Sequence, residues 1–158
     1  MNDQHAADAL AQYRAGLQTG IELLRQLQAI ADRQREGSQN RDFRQLAAEA
    51  DARNRLTHAL VALEPGLRDV RAFLATLPQA VVECHADYAE VMALRQTASD
   101  LVAAILHSDD ASMRALADAE IAHRAARANL ECGEATLAAY RRVLTPPVGS
   151  ASLLDVHG

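Results

Sequence analysis

The chain has 158 residues, of which 49% are hydrophobic, with two Phe, three Tyr, no Trp and a formal net charge of −5. This charge and the absence of a basic stripe argue against nucleic-acid binding. No apolar run approaches the roughly 18–20 residues that span a bilayer, and the N-terminus lacks the basic-then-apolar pattern of a signal peptide. We therefore expect a cytoplasmic protein without membrane insertion. The 34 Ala residues favour helices.

The first predicted helix runs from about Asp3 to Arg35. Apolar positions recur along it at alternating spacings of three and four, the repeat of a helix that packs lengthwise against others. These seam positions are Leu10, Tyr13, Leu17, Gly20, Leu24, Leu27 and Ala31. Further apolar residues widen the face enough for two neighbouring helices, namely Ile21, Leu23 and Ile30. Gly16 and Gly20 either permit close helix approach or mark local flexibility.

The second predicted helix runs from about Arg41 to Thr76, after a break at Gly37–Asn40. Gly37 suits a helix C-terminus, and Asn40 or Asp42 can cap the next helix. A short connection predicts antiparallel packing. The seam is Leu56, Leu60, Leu63, Leu67, Val70, Leu74 and Leu77. Pro65 lies inside this repeat, which keeps its phase, so we favour a kink; a break into two helices at 64–66 is the alternative.

The third predicted helix runs from about Pro78 to His107, because Pro is tolerated in a first helical turn. Its seam is Val81, Cys84, Tyr88, Val91, Arg95, Ala98, Val102 and Ile105, with Leu94 and Leu101 extending the face. A turn is expected at residues 107–110. The fourth helix then runs from Ser108 to Leu144, where Pro146 and Pro147 stop it. Its seam is Leu116, Ala119, His123, Ala126, Leu130, Gly133, Leu137, Tyr140 and Leu144.

The predicted fold is therefore all-α: a bundle of three to four long antiparallel helices, coiled-coil-like in its repeats. We expect one helical domain over residues 1–144. The Pro, Gly and Ser content of residues 145–158 predicts a flexible C-terminal tail. The repeats leave the oligomeric state open, since one apolar stripe serves self-association and partner binding equally.

No pattern of catalytic residues emerges, so we expect neither an enzyme nor a metal or cofactor site. Glu120 and His123 form a single Glu-x-x-His, but a carboxylate-bridged di-metal bundle needs two such pairs. His123 lies on the seam and is followed by Arg124 without the Lys and Gly of a phosphotransfer helix. Cys84 and His85 are helix neighbours that point about 100° apart, and Cys84 falls on the apolar seam, where a thiol is usually inert. Without an export signal, Cys84 and Cys132 are expected to be reduced.

Several segments in order resemble one known family. They are Leu23-Leu24-Arg25-Gln26-Leu27, Gln34-Arg35-Glu36-Gly37, Asp42-Phe43-Arg44-Gln45-Leu46-Ala47, Arg53-Asn54-Arg55-Leu56, Leu60-x-x-Leu63-Glu64, Ile105-Leu106-His107-Ser108-Asp109-Asp110 and Ala139-Tyr140-Arg141-Arg142, followed by the final residues Leu154-Asp155-Val156-His157-Gly158. This order is similar to that of the flagellar type III export chaperones of the FlgN/FliT type, which are small cytoplasmic helical proteins.

The resemblance implies a protein that binds the amphipathic helical ends of flagellar hook–filament junction or cap subunits and delivers them to the export gate. In the family, the C-terminal helix and tail carry much of this binding. Transferred to this chain, the partner-binding residues are Leu130, Leu137, Tyr140, Leu144, Leu153 and Leu154. This chain departs from the expectation in having few large apolar anchors there. The alternative hypothesis is a non-catalytic structural or adaptor coiled coil, which could form a homodimer.

Overall fold

The computed structural model of the chain describes residues 2–144, with side chains described for residues 3–135 and 137. These residues form four helices in the order α1 (Asn2–Gln39), α2 (Phe43–Thr76), α3 (Gln79–Glu83) and α4 (Tyr88–Leu144), and no strand lies among them. The all-α prediction is confirmed. The expected tail, residues 145–158, lies outside the described residues. No helix within the described range is long and apolar enough to cross a membrane.

Helices α1 and α2 pack closely and antiparallel, as the short connection predicts. Gly16 lies against Leu67 near one end of the pair, and Arg33 of α1 meets Glu49 of α2 near the other. A Cβ atom added at Gly16 would lie 2.6 Å from Cδ2 of Leu67. At Gly20 the corresponding distance to Cδ2 of Leu63 would be 3.4 Å. Of the two interpretations of these glycines, the structure favours close helix approach.

The turn between α1 and α2 lies later than the sequence indicates. Gly37 remains inside α1, which extends to Gln39 instead of ending near Arg35. Arg41 adopts the left-handed conformation with φ 57°, and the N–H of Asp42 donates to the carbonyl of Gly37 at 2.8 Å. The N–H of Arg41 bonds the carbonyl of Ser38, which completes a Schellman ending. Asp42 then caps α2 by accepting from the N–H of Gln45 at 3.0 Å, as predicted.

Helix α2 is one helix through Pro65, so the alternative of a break at residues 64–66 is wrong. Its seam faces the bundle, with Val70 buried and the seam leucines half-buried. Pro65 itself is exposed. An apolar repeat that keeps its phase across a proline therefore predicts continuity correctly here.

The prediction of a third helix from Pro78 to His107 is wrong at its start. A short helix, α3, ends at Glu83, and α4 begins at Tyr88. In the intervening turn the N–H of Asp87 donates to Nδ1 of His85 at 3.2 Å. Such local side-chain bonds compete with helical ones. The carboxylate of Asp87 is also held from α1 by Arg14, at 3.0 Å, and Arg14 reaches Glu90 at 3.1 Å.

The predicted turn at residues 107–110 is absent, because α4 is continuous over 57 residues. The polar residues there bind other helices instead of capping a helix end. Ser108 is 2% exposed and donates to Oδ1 of Asp32 in α1 at 2.7 Å. Asp109 accepts from Arg53 of α2 at 2.6 Å. The expected third and fourth helices are therefore mostly one helix.

The core lies where α1 faces both α2 and α4, so the two neighbours predicted for α1 are confirmed. Every predicted seam position of α1 is buried. One buried cluster contains Leu10, Tyr13, Leu17, Val70, Val82 and Val91; a second contains Leu24, Leu27, Ala31 and Ile105. The α4 seam differs from the predicted one, since Arg95 and Val102 are exposed while Leu94 and Leu101 pack against the clusters.

Polar contacts define the register of α4 on α1. Arg14 to Glu90 and Asp32 to Ser108 both join residues that are 76 positions apart, so α1 and α4 run parallel. In this register the end of α1 at Gln39 is level with Ala115 of α4. Helices α1, α2 and α4 thus alternate in direction around the core, as in an up-down-up bundle.

The chain divides into two compact units, Met1–Leu116 and Ala117–Gly158. The boundary lies within α4. The first unit contains α1, α2, α3 and the beginning of α4. The described part of the second unit is the remainder of α4, up to Leu144.

Candidate partner-binding site

The second unit owes its helix to local sequence. It is rich in Ala, the residue with the highest helix propensity, and has no Pro before residue 146. Glu120 and Arg124 form an ion pair one turn apart at 2.5 Å, and Arg127 and Glu131 form another at 3.0 Å. Each such pair stabilises a helix by a few tenths of a kcal/mol, about 0.3–0.5.

One face of this helix carries the predicted binding residues. We call Ala126, Leu130, Gly133 and Leu137 the terminal apolar face. Leu130 is 72% exposed and Leu137 is 66% exposed. A Cβ added at Gly133 would meet nothing within 4 Å. Two leucines one heptad apart, with Gly133 between them and Ala126 before them, form a shallow apolar strip.

The same repeat is buried earlier in α4. Ile105, Ser108 and Ser112 lie on it and are at most 9% exposed. With two successive steps of four, at positions 108, 112 and 116, the repeat continues to Ala119, which is 8% exposed, and then to Ala126 and Leu130, which are exposed. Every described side chain after Ala122 is exposed. The repeat thus continues in the sequence while the burial of its residues stops.

The other predicted site residues are only partly described. Tyr140 and Leu144 belong to α4, but their side chains are not among those described. Leu153 and Leu154 lie outside the described residues. The terminal apolar face is therefore the described portion of the predicted binding site.

Sequence reasoning missed other exposed apolar side chains. Leu106, Met113 and Ile121 are all more than 60% exposed. They lie off the predicted seams, and Leu106 and Met113 are one heptad apart. A search for a second heptad stripe in residues 102–121 would have found this pair.

The residues considered for chemistry are placed differently from the sequence expectation. Cys84, expected on a buried seam, is exposed at the end of α3. His123, also expected on the seam, is exposed. Cys132 is exposed as well. Among the described residues no group of three His, Cys, Asp or Glu side chains is placed to hold a metal ion.

One ion pair in the first unit, between Arg33 and Glu49, shifts the pKa of both of its members. Arg33 binds Glu49 with two hydrogen bonds, at 2.6 and 3.1 Å. The hydrogen bond from Arg33 lowers the pKa of Glu49 below its ordinary value, and the charge of the guanidinium adds to this effect. The reciprocal bond raises the pKa of Arg33. Two-point contact between α1 and α2 stabilises the helix pair near the turn and has no evident chemical role.

Grooves also lie between α1 and α2. One is lined largely by small and apolar residues, Ala15, Gly16, Leu63, Gly66, Leu67 and Val70. A second has Arg33 and Arg55 at its edge. These grooves contain no pairing of a nucleophile with a base among their described lining residues, and they follow from the close packing of two narrow helices.

Comparison of the chain with family models, with curated proteins and with solved structures finds no match.

Proposed function

We propose that the protein is a cytoplasmic flagellar type III export chaperone that binds amphipathic helical segments of partner proteins through the C-terminal part of α4. The clients would be hook–filament junction or cap subunits, and the export gate would be the destination. No cofactor or metal takes part. The proposal concerns binding and transfer of a protein chain, without covalent chemistry.

The observation that carries the proposal is the exposure of Leu130 and Leu137 on a helix whose repeat is typical of lengthwise packing. Apolar side chains in such a repeat have their stabilising effect only when another helix covers them. An amphipathic client helix supplies that cover by laying its apolar side along the strip.

The size of the strip limits the affinity. Fully burying a leucine contributes about 1.5–3 kcal/mol. Two leucines and the small residues between them offset only part of the cost of association. We therefore expect binding in the micromolar range or weaker from this face alone. Such affinity suits a chaperone that must release its client.

The flagellar assignment of the client rests on the ordered segments that resemble the FlgN/FliT type, not on the exposed face. An exposed apolar face is compatible with many helical partners. The resemblance narrows the choice to flagellar junction and cap subunits, and these are therefore the first partners to test.

The test is a binding titration of the full chain against purified flagellar hook-associated and cap proteins. Leu130→Ala with Leu137→Ala should weaken binding about tenfold or more, because both anchors lose most of their apolar area. Ile121→Ala is the matched control. Ile121 lies in the same unit and is 65% exposed, but it is not on the terminal apolar face.

Failure of every such protein to bind a folded chain would overturn the flagellar proposal. An equal loss of client affinity in the Ile121 variant and in the double Leu variant would exclude the terminal apolar face as the binding site. A tight dimer that binds no helical client would instead favour the structural or adaptor coiled coil.

A further inference from the structure

Charged residues flank the terminal apolar face in an ordered way. Glu120, Arg127 and Glu134 each follow a small seam residue directly, namely Ala119, Ala126 and Gly133, and Arg141 continues the alternation in the sequence. In a heptad repeat these are the positions beside the apolar seam whose charges select a partner helix and its direction. The opposite flank has no charge in this stretch: it reads Ala122, Asn129 and Thr136. One flank therefore alternates acid and base while the other is neutral.

We infer that the terminal apolar face of the free protein binds the same face of a second copy, antiparallel, with Arg127 of each copy beside Glu134 of the other. In an antiparallel pair related by a two-fold axis, each flank faces the same flank of the other helix. An alternating flank is then complementary to itself. The axis would pass close to residue 131, and the ion pair would form twice.

The same register also fits the sizes of the seam residues. It places Leu130 opposite Gly133 of the second copy, and Leu137 opposite Ala126 of the second copy. Large residues facing small ones allow two helices to approach closely without a void. The exposure of Leu130 and Leu137 and the empty space at Gly133 leave this surface available for such an approach.

A parallel pair fits poorly. In that direction each flank faces the opposite flank of the other helix, so Arg127 and Glu134 would face uncharged residues. The seam would place leucine against leucine and Gly133 against Gly133, which leaves a gap between bulky layers. The flanking charges and the sizes of the seam residues therefore both favour the antiparallel direction.

The ion pair within the helix does not oppose this arrangement. Arg127 donates to Glu131 at 3.0 Å, and the two side chains are 75% and 65% exposed. Exposed pairs of this kind contribute little and rearrange readily. Glu134 lies exposed on the same side of the seam repeat as Arg127. Arg127 can therefore turn from Glu131 to Glu134 of the second copy at small cost.

This inference rests on the proposed function in one respect: the second copy and the client would occupy the same face. The dimer would cover Leu130 and Leu137 until a client displaces it. Self-association through so short a strip should be weak, which is what displacement by a micromolar client requires. Client binding and dimer formation would then exclude each other.

The test is sedimentation equilibrium of the full chain and of variants in which the charges at positions 127 and 134 are changed. Arg127→Glu and Glu134→Arg each place like charges together twice, so each should weaken the dimer about tenfold or more. An equimolar mixture of the two single variants should restore dimers, as should the double variant R127E/E134R. Arg124→Glu is the matched control, because it makes the same charge change and also removes an ion pair within the helix, that with Glu120.

Restoration by mixing would support the inference, since only antiparallel facing flanks predict it. A dimer that ignores both single changes, or that weakens equally with Arg124→Glu, would overturn it. A chain that is monomeric at all concentrations would overturn it too. The titration with flagellar clients tests the proposed function separately. Binding of a client to an intact dimer would exclude mutual masking.

Discussion

The two units of the chain contain the same kind of apolar repeat but differ in whether its large residues are buried. In Met1–Leu116 the seams of α1, α2 and α4 face one another and bury residues such as Leu10 and Val91. In the described part of the second unit, Leu130 and Leu137 occupy equivalent repeat positions and are exposed. A heptad repeat therefore predicts a packing surface but does not identify the surface that covers it.

The two units also differ in what stabilises them. The first unit is stabilised by tertiary packing, whereas the described residues after Ala122 are exposed and depend on helix propensity and local ion pairs.

The largest expected effect is the difference in unfolding free energy between two Leu→Ala variants. Leu10→Ala should lower the free energy of unfolding by about 2–5 kcal/mol, because Leu10 is 1% exposed and its loss leaves a cavity. Leu130→Ala should change it by less than about 0.5 kcal/mol. Urea denaturation at low protein concentration measures both. Similar losses for the two variants would show that Leu130 packs within the monomer.

A second prediction concerns the continuity of α4. Asp110→Pro should destabilise the protein by roughly 3 kcal/mol or more, because proline removes a helical bond and clashes with the preceding turn. Asp110→Ala is the control, since it removes only the pair with Arg114 at 3.0 Å. Thermal unfolding followed by circular dichroism separates them. A proline variant as stable as the alanine variant would contradict a continuous α4 and support a turn at residues 107–110.

A smaller effect is expected at the polar contact that replaces this turn. Ser108→Ala removes the hydrogen bond to Asp32 and should cost about 0.5–1.5 kcal/mol. Ser99→Ala is the matched control on the same helix, because Ser99 is exposed and alanine is the better helix former. Chemical denaturation of the two variants gives the comparison. No loss at Ser108 would mean that the contact does not hold α4 on α1.

The smallest effect concerns pH. The pKa of Glu49 is lowered in the folded protein, so its contribution is present above the unfolded pKa, near 4.5, and is lost as the pH falls through the folded value. Glu49→Gln should therefore lower stability at pH 7 by under about 1 kcal/mol and have no effect in strong acid. Glu131→Gln, in the second unit, should leave global unfolding unchanged at every pH. A pH-independent loss at Glu49 would contradict the ionic origin.

The sequence predicted the features that depend on periodicity. Leu10, Tyr13 and Leu17 are buried as their spacing requires, α2 continues through Pro65, and Asp42 caps its start. It failed where polar residues imitate a helix end. Ser108 and Asp109 lie in the turn predicted at residues 107–110, yet their side chains bind Asp32 and Arg53. Their partners are distant in the chain, so no local pattern could reveal them.

The candidate site divides in the same manner. Periodicity singled out Leu130 and Leu137, and the structure adds their exposure. Cys84 is exposed because it lies at the end of α3, where the expected helix is interrupted, whereas His123 is exposed on a continuous helix.

The sequence by itself determined that the chain is helical, because Ala richness and a repeat of three and four are local properties of the residues. Only the tertiary structure decided where helices end and which faces are buried. The bond between Asp87 and His85 and the anchoring by Arg14 separate α3 from α4, while Ser108 and Asp109 find partners on other helices. Burial requires a neighbouring helix that no local pattern identifies: Ile105 in the first unit is buried, whereas Leu130 in the second is exposed.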